Sequence, residues 1–174
     1  MGNAIAFPWE QEVIIHHSQR ILKSFQYWTG NSLLDESDSP KETAQALFEA
    51  PFVLASHGTE ADPIFNYGNR QALAQWELTW DEFTQTPSRK TAEEIAQAER
   101  DRLLSEATTK GFCYFSGVRI TSTGKRFYIQ DGILWNLVDE QHQYCGQAAV
   151  YSKCTFIADD RSKNQGFGGG YSKP

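Results

Sequence analysis

The feature that most constrains the fold is a change of hydrophobic period at Gly111, where a helical pattern gives way to alternation. Three aromatic and β-branched segments follow, FCYFSGVRIT, RFYIQDGILWNLV and YCGQAAVYSKC, joined by the polar stretches STGKR and DEQHQ. Alternating segments of this length predict β-strands, and short polar connections predict hairpins. The second half of the chain is therefore predicted to form a three-stranded antiparallel meander.

The preceding part of the chain changes direction often. FVLASHG and IFNYG are predicted strands, and alternation places Phe65 and Tyr67 on one face of the second. Short helices are predicted around these strands, because small polar residues occur where helices could begin. Three of these residues stand three positions before a Glu, which is the spacing of a capping box. The predicted caps are Ser39, Asn69, Thr79 and Thr91.

The N-terminal part is predicted to form one amphipathic helix. Apolar residues recur there at helical spacing, and Gly30 is a suitable stop. The helix is expected to pack on the sheet or on a second copy of the chain, which makes a homodimer through this helix a hypothesis. The adjacent His16 and His17 point about 100° apart on a helix, so they do not chelate one ion together.

Composition narrows the class of protein. The 174 residues carry a formal net charge of -6, whereas nucleic-acid binding usually needs a basic excess. The three cysteines are widely spaced without a CxxC motif, which favours a reducing compartment over a disulfide framework or zinc site. No secretory signal or membrane-length apolar run occurs. We therefore expect a cytoplasmic protein with no metal, membrane or nucleic-acid partner.

The order of elements resembles the PAS fold, an α+β architecture in which a five-stranded antiparallel sheet carries helices on one face around a small pocket. Here two strands, several short helices, one longer helix and three strands follow an N-terminal helical extension. The stretch DPIFNYGNRQAL resembles the PAS strand-to-helix corner, in which an aromatic strand ends at an Asn that begins a helix.

A closer resemblance is to the MEKHLA domain, a PAS-like family found in free-standing bacterial proteins and at the C-terminus of plant class III homeodomain–leucine zipper factors. It rests on ALFEAPFVLASHG, DPIFNYGNRQAL, SGVRITSTGKRF and WNLVDEQHQYCGQAA, within residues 46–153. The expected organisation is an N-terminal helix and linker over 1–38, the PAS-like domain over 39–158, and a flexible Gly-rich tail over 159–174.

The resemblance implies a sensory or regulatory domain that binds a small molecule or a protein partner, with no catalytic residue assigned. The predicted pocket wall comprises Phe65, Tyr67, Trp76, Phe115, Ile129 and Trp135. Two PAS cofactors are disfavoured. All three cysteines lie on the strand side, away from the place of a flavin–cysteinyl adduct, and the long helix has no His to ligate haem.

Two alternatives stay open. A ketosteroid-isomerase-like enzyme would use a buried general base in a sheet-lined pocket, for which Asp131 is the best candidate, with Tyr114 or Tyr128 as proton donor. A PAS-like domain with a filled core would instead serve as a ligand-free dimerisation or interaction module. The ligand itself is not identified by the sequence.

Overall fold

The computed structural model describes residues 7–35, 37–92 and 97–158. Helices α1 to α5 span Glu12–Thr29, Pro40–Phe48, Arg70–Trp76, Trp80–Phe83 and, as far as described, Gln97–Lys110. Strands β1 to β6 span Val53–His57, Phe65–Gly68, Phe112–Ile120, Arg126–Val138, Tyr144–Tyr151 and Lys153–Phe156. Short 3-10 helices cover Pro8–Glu10 and Ser88–Thr91. The predicted flexible tail, residues 159–174, lies outside the described residues.

The strands form one antiparallel sheet in the order β2-β1-β5-β4-β3, with β6 paired to the first part of β4. Only Ser152 separates β5 from β6, so the two act as one interrupted strand along β4. The meander predicted from the sequence is confirmed, as is the α+β architecture with a five-stranded core sheet.

Helices cover both faces of the sheet. On the inner face, α3, α4 and α5 pack on residues such as Val53, Phe115 and Leu134. On the outer face, α1 and α2 cover a second apolar cluster that includes Leu54, Trp135 and Leu137. Two separate cores therefore share one sheet, and the N-terminal helix is docked within its own chain.

Local sequence explains where the helices begin. The Oγ atom of Ser39 accepts from the backbone N–H of Glu42 at 3.3 Å, and Thr79 with Glu82 forms a reciprocal capping box. Gly30 ends α1 in the left-handed conformation, with φ 72°. These positions agree with the sequence patterns.

The predicted cap at Thr91 is different. Its hydroxyl donates to the carbonyl of Ser88 at 2.7 Å and closes the 3-10 helix. Ala92 is extended, with φ -126° and ψ 139°, so no helix begins directly after Thr91. Residues 93–96, which include Glu94 of the expected capping box, lie outside the described residues.

Asn69 is the most heavily bonded of the caps. Its Oδ1 accepts from the backbone N–H of Ala72 and of Leu54, each at 3.1 Å, and its Nδ2 donates to the carbonyl of Phe52 at 2.9 Å. The side chain is fully buried. It therefore caps α3 and also fixes that helix to strand β1.

Candidate functional site

A cavity of about 90 Å³ lies between the inner face of the sheet and helices α3 and α5. Strands β1 and β5 contribute small side chains to its wall, including Ala55 and Ala149, while β3 and β4 contribute large ones. The cavity exists because these side chains are small, and the aromatic rings of neighbouring residues enclose it. A concave, mostly apolar site with a few polar groups is the usual form of a small-molecule pocket.

Four of the six predicted wall residues line this cavity, namely Phe65, Trp76, Phe115 and Ile129. All four are buried. These residues come from β2, α3, β3 and β4. Phe65 stacks on Phe83 of α4 with ring centroids 4.3 Å apart, and Trp76 at the end of α3 meets Phe127 of β4 edge to face at 5.7 Å.

Trp135 lies on the outer face, contrary to the prediction, because β4 contains a bulge. Phe115 pairs with Gly132 and Gly117 pairs with Ile129, so β4 has one extra residue in this interval. Asp131 takes a left-handed φ of 56° there. An extra residue reverses the alternation of side chains, and Trp135 therefore points to α1 instead of the cavity.

Tyr67 is displaced from the predicted wall by the same mechanism. Phe65 pairs with His57, whereas Tyr67 pairs with the adjacent Ser56, so Asn66 is the extra residue. Phe65 and Tyr67 consequently face opposite sides of the sheet. Tyr67 packs on Trp80 in the outer cluster, with ring centroids 5.7 Å apart.

Strand β5 supplies further wall residues that are not among the predicted ones. Gln147, Ala149 and Tyr151 alternate along it and all line the cavity. The alternation in YCGQAAVY places these three residues on one face, and this is the signal that could have identified them. Tyr151 is buried, and desolvation raises the pKa of its phenol well above the ordinary value, which keeps the phenol protonated.

Two buried amides at one end of the cavity connect the sheet to α5. The Nε2 atom of Gln147 donates to Asn136 Oδ1 at 3.0 Å and to the carbonyl of Leu104 at 3.1 Å. The Nδ2 atom of Asn136 donates to the carbonyl of Ala107 at 2.9 Å. Satisfied amides of this kind fix the position of α5 over the inner face.

The general base proposed for an isomerase-like enzyme does not face this cavity. Asp131 is exposed at the bulge of β4. The proposed proton donors are also exposed, Tyr114 by 70% and Tyr128 by 42%. These three residues therefore do not form the buried acid–base pair that the alternative requires.

The three cysteines lie on strands, away from the cavity. Cys113, Cys145 and Cys154 lie on β3, β5 and β6, and none of them lines the cavity. Within 7–35, 37–92 and 97–158, no three His, Cys, Asp or Glu side chains are grouped to hold a metal ion. The same part of the chain contains no helix with the length and apolarity needed to cross a bilayer.

The outer face carries a polar link between α1 and the sheet. His17 Nε2 lies 2.9 Å from Ser56 Oγ, which donates to Asn66 Oδ1 at 2.5 Å. Burial, followed by the positive charges of Arg20 and His16, lowers the pKa of His17 to about 4. Ser56 directs its hydroxyl to α1, while the next residue, His57, lines the inner cavity, as the alternation of side chains along a strand requires.

The strand order and the helices over the inner face define a PAS-like domain, and solved structures share this fold. The PAS domain of a protein from Colwellia psychrerythraea superposes with a TM-score of 0.57 at 12% identity, covering 67% of this chain and 95% of that one. A light-oxygen-voltage domain studied with a flavin analogue superposes with a TM-score of 0.53 at 14% identity, and the alignment covers 70% of this chain and 89% of that one. A PAS domain of a two-component sensor histidine kinase gives 0.50 at 15% identity, covering 65% and 91%.

The family model of the MEKHLA domain matches residues 15–156. This match includes most of α1 and the whole sheet, so the chain belongs to the MEKHLA domain family, which is PAS-like. No curated protein matches the chain significantly.

Proposed function

We propose that this chain is a sensory or regulatory domain that binds a small molecule in the inner cavity and reports its occupancy through helix α1. The observation that carries the proposal is a hydrogen-bonded connection across the sheet. Gln147 lines the cavity and donates to the side chain of Asn136 at 3.0 Å. The backbone carbonyl of Asn136 in turn accepts from Trp28 Nε1 of α1 at 2.9 Å.

Packing supports the same connection. Leu134 and Trp135 are consecutive in β4, and Leu134 lines the cavity while Trp135 packs on α1. A shift of β4 on ligand binding would therefore be felt directly by the helix. The Oγ atom of Ser24 in α1 accepts from the backbone N–H of Val138 at 2.9 Å, which fixes the helix to the end of the same strand.

A ligand changes such a system only when it binds one arrangement better than another. We expect two positions of α1, docked as described or partly released from Trp135 and Asn136, with occupancy of the cavity favouring one of them. Release would expose the outer apolar cluster, which could then bind a second copy or another protein. Output through α1 thus needs no contact between the ligand and the partner.

Native mass spectrometry and an absorbance scan of freshly purified protein test this proposal. A bound mass that is lost on denaturation, or a visible chromophore, would support a small-molecule sensor. A chain that carries no added mass and behaves as a clean dimer would instead support a ligand-free interaction module.

The interaction module is the second candidate, and the uncovered part of the outer face favours it. Tyr114 of β3 and Tyr128 of β4 each precede a residue of the cavity wall, so they lie on the outer face, and both are exposed. The cavity is also small, and modest side-chain shifts would close it. In that case the domain would act through surface contacts alone.

A further inference from the structure

The cavity contains two buried hydrogen-bond donors that have no acceptor among the described residues. These are the hydroxyl of Tyr151 and the indole N–H of Trp76. Both side chains line the cavity and are about 95% buried. Buried donors are satisfied in the great majority of native sites, and leaving one without a partner costs about 1–3 kcal/mol. This end of the cavity is therefore built to receive an acceptor.

The two donors belong to neighbouring side chains. The rings of Trp76 and Tyr151 meet edge to face with centroids 6.5 Å apart. Their other neighbours are mainly apolar, among them Phe127 of β4, whose ring lies 5.7 Å from Trp76 and 6.5 Å from Tyr151. The opposite end of the cavity has the amide of Gln147, which already donates to Asn136 and Leu104.

We infer that the ligand of this cavity is a small uncharged molecule with an apolar body and one carbonyl-type oxygen, which accepts from Tyr151 and Trp76. This inference rests on the proposed function and specifies its ligand class. An amine or other cation is disfavoured, because Arg119 also lines the cavity and a buried charge without an opposite charge is strongly unfavourable.

Size limits the ligand further. An apolar cavity of about 150 Å³ holds a benzene molecule with its six carbon atoms, so a cavity of about 90 Å³ suits roughly four non-hydrogen atoms. A wider groove lies beside it and shares Phe65, Trp76 and Thr91 with its wall. Trp76 thus lies between the cavity and the groove. A movement of this side chain would let a ligand enter the cavity from the groove.

The test uses the full chain and three probes with the same branched arrangement of non-hydrogen atoms, acetone, isobutene and isopropylamine, followed through the methyl resonances of Leu103, Ile129 and Leu134. These three residues line the cavity. We expect acetone to give saturable shifts and to bind at least about tenfold more tightly than isobutene, because its oxygen gains hydrogen bonds from the two donors. Isopropylamine is expected to leave the resonances unchanged.

Tyr151→Phe removes the hydroxyl and keeps the ring. It should weaken acetone binding about tenfold and leave isobutene binding unchanged. Tyr144→Phe is the matched control, because Tyr144 lies on the same strand and is 47% exposed. Trp76→Phe removes the second donor and repeats the test if Tyr151→Phe does not fold.

The outcomes separate the two proposals. Equal binding of ketone and hydrocarbon, unaffected by Tyr151→Phe, would overturn the acceptor inference and leave the small-molecule site intact; water held by the two donors would give this result. Absence of any saturable shift with all three probes would overturn the inference together with the proposed binding function.

Discussion

Trp135 of β4 meets Phe25 of α1 edge to face on the outer side of the sheet, with ring centroids 4.9 Å apart. Phe25 is 5% exposed and Trp135 is completely buried. Aromatic pairs of this geometry contribute beyond their buried area. The contact makes α1 part of the folded core, although the sequence alone allowed it to pack on another copy of the chain.

Phe25→Ala tests the strength of this docking. Truncating a buried Phe typically lowers the free energy of unfolding by about 3–5 kcal/mol. Tyr27→Ala is the control on the same helix, because Tyr27 is 60% exposed, and we expect it to cost less than about 1 kcal/mol. Urea unfolding followed by far-UV circular dichroism gives both values. Equal losses for the two variants would show that α1 is not docked as described.

Deletion of residues 1–30 should have a larger effect. It uncovers outer-face residues that α1 buries, including Leu54, Trp135 and Leu137. We expect a lower melting temperature or association into dimers and larger species, because an exposed apolar patch of this kind drives self-association. Light scattering and thermal melting measure the two outcomes. Unchanged mass together with unchanged melting would contradict the docking of α1.

Asn69→Ala should destabilise the domain more than the loss of an ordinary helix cap. The substitution leaves the backbone N–H groups of Leu54 and Ala72 and the carbonyl of Phe52 without their side-chain partner. We expect a loss of about 2–4 kcal/mol. Thr79→Ala removes a cap whose hydrogen bonds are solvent-exposed and should cost about 1 kcal/mol. Comparable losses in denaturant titrations would contradict the connecting role of Asn69.

His17 predicts a specific dependence of stability on pH. Burial lowers its pKa from 6.5 to about 4 in the folded chain, so the unfolded state takes up the proton first as the pH falls. Neutral His17 therefore contributes to the free energy of unfolding above pH 6.5. This contribution is lost progressively as the pH falls towards 4, and the total loss is about 3 kcal/mol.

The comparison that isolates this effect is His17→Gln, measured from pH 7 to pH 4. The carboxylates titrate in both proteins, so the difference in unfolding free energy should change in favour of the variant as the pH falls. His16→Gln is the control on the same helix, and it should retain most of the pH dependence that His17 causes, because His16 is exposed and its charge lowers the pKa of His17 less than burial does. Parallel curves for wild type and His17→Gln would show that His17 is not buried at the sheet.

The elements and their order were predictable because the relevant signals are local. Alternation in β3 to β5, the capping residues Ser39, Asn69 and Thr79, and the stop at Gly30 each act within a few residues. The side of the sheet that a residue faces is different. It depends on strand register, and two bulges reversed it for Tyr67 and Trp135.

One of these bulges had a visible signal. Gly132 follows Asp131 inside a long strand, and an isolated Gly in a strand often marks a bulge or a close approach. A Cβ atom at Gly132 would lie 2.5 Å from Cε1 of Phe115, so the ring of a cavity-wall residue occupies that space. The bulge at Asn66 had no such marker, because its position depends on pairing with β1 and on the hydrogen bond to Ser56.

The central claim, that occupancy of the inner cavity changes the docking of α1, is tested most directly by amide hydrogen exchange of Glu12–Thr29 in Ala149→Leu. Ala149 lines the cavity, so the added carbon atoms imitate a bound ligand, while Ala46→Leu on the exposed side of α2 is the matched control. We expect exchange in α1 to change several-fold in Ala149→Leu relative to wild type and to the control. Exchange in α1 that stays equal in all three proteins, while α5 over the filled cavity responds, would contradict it.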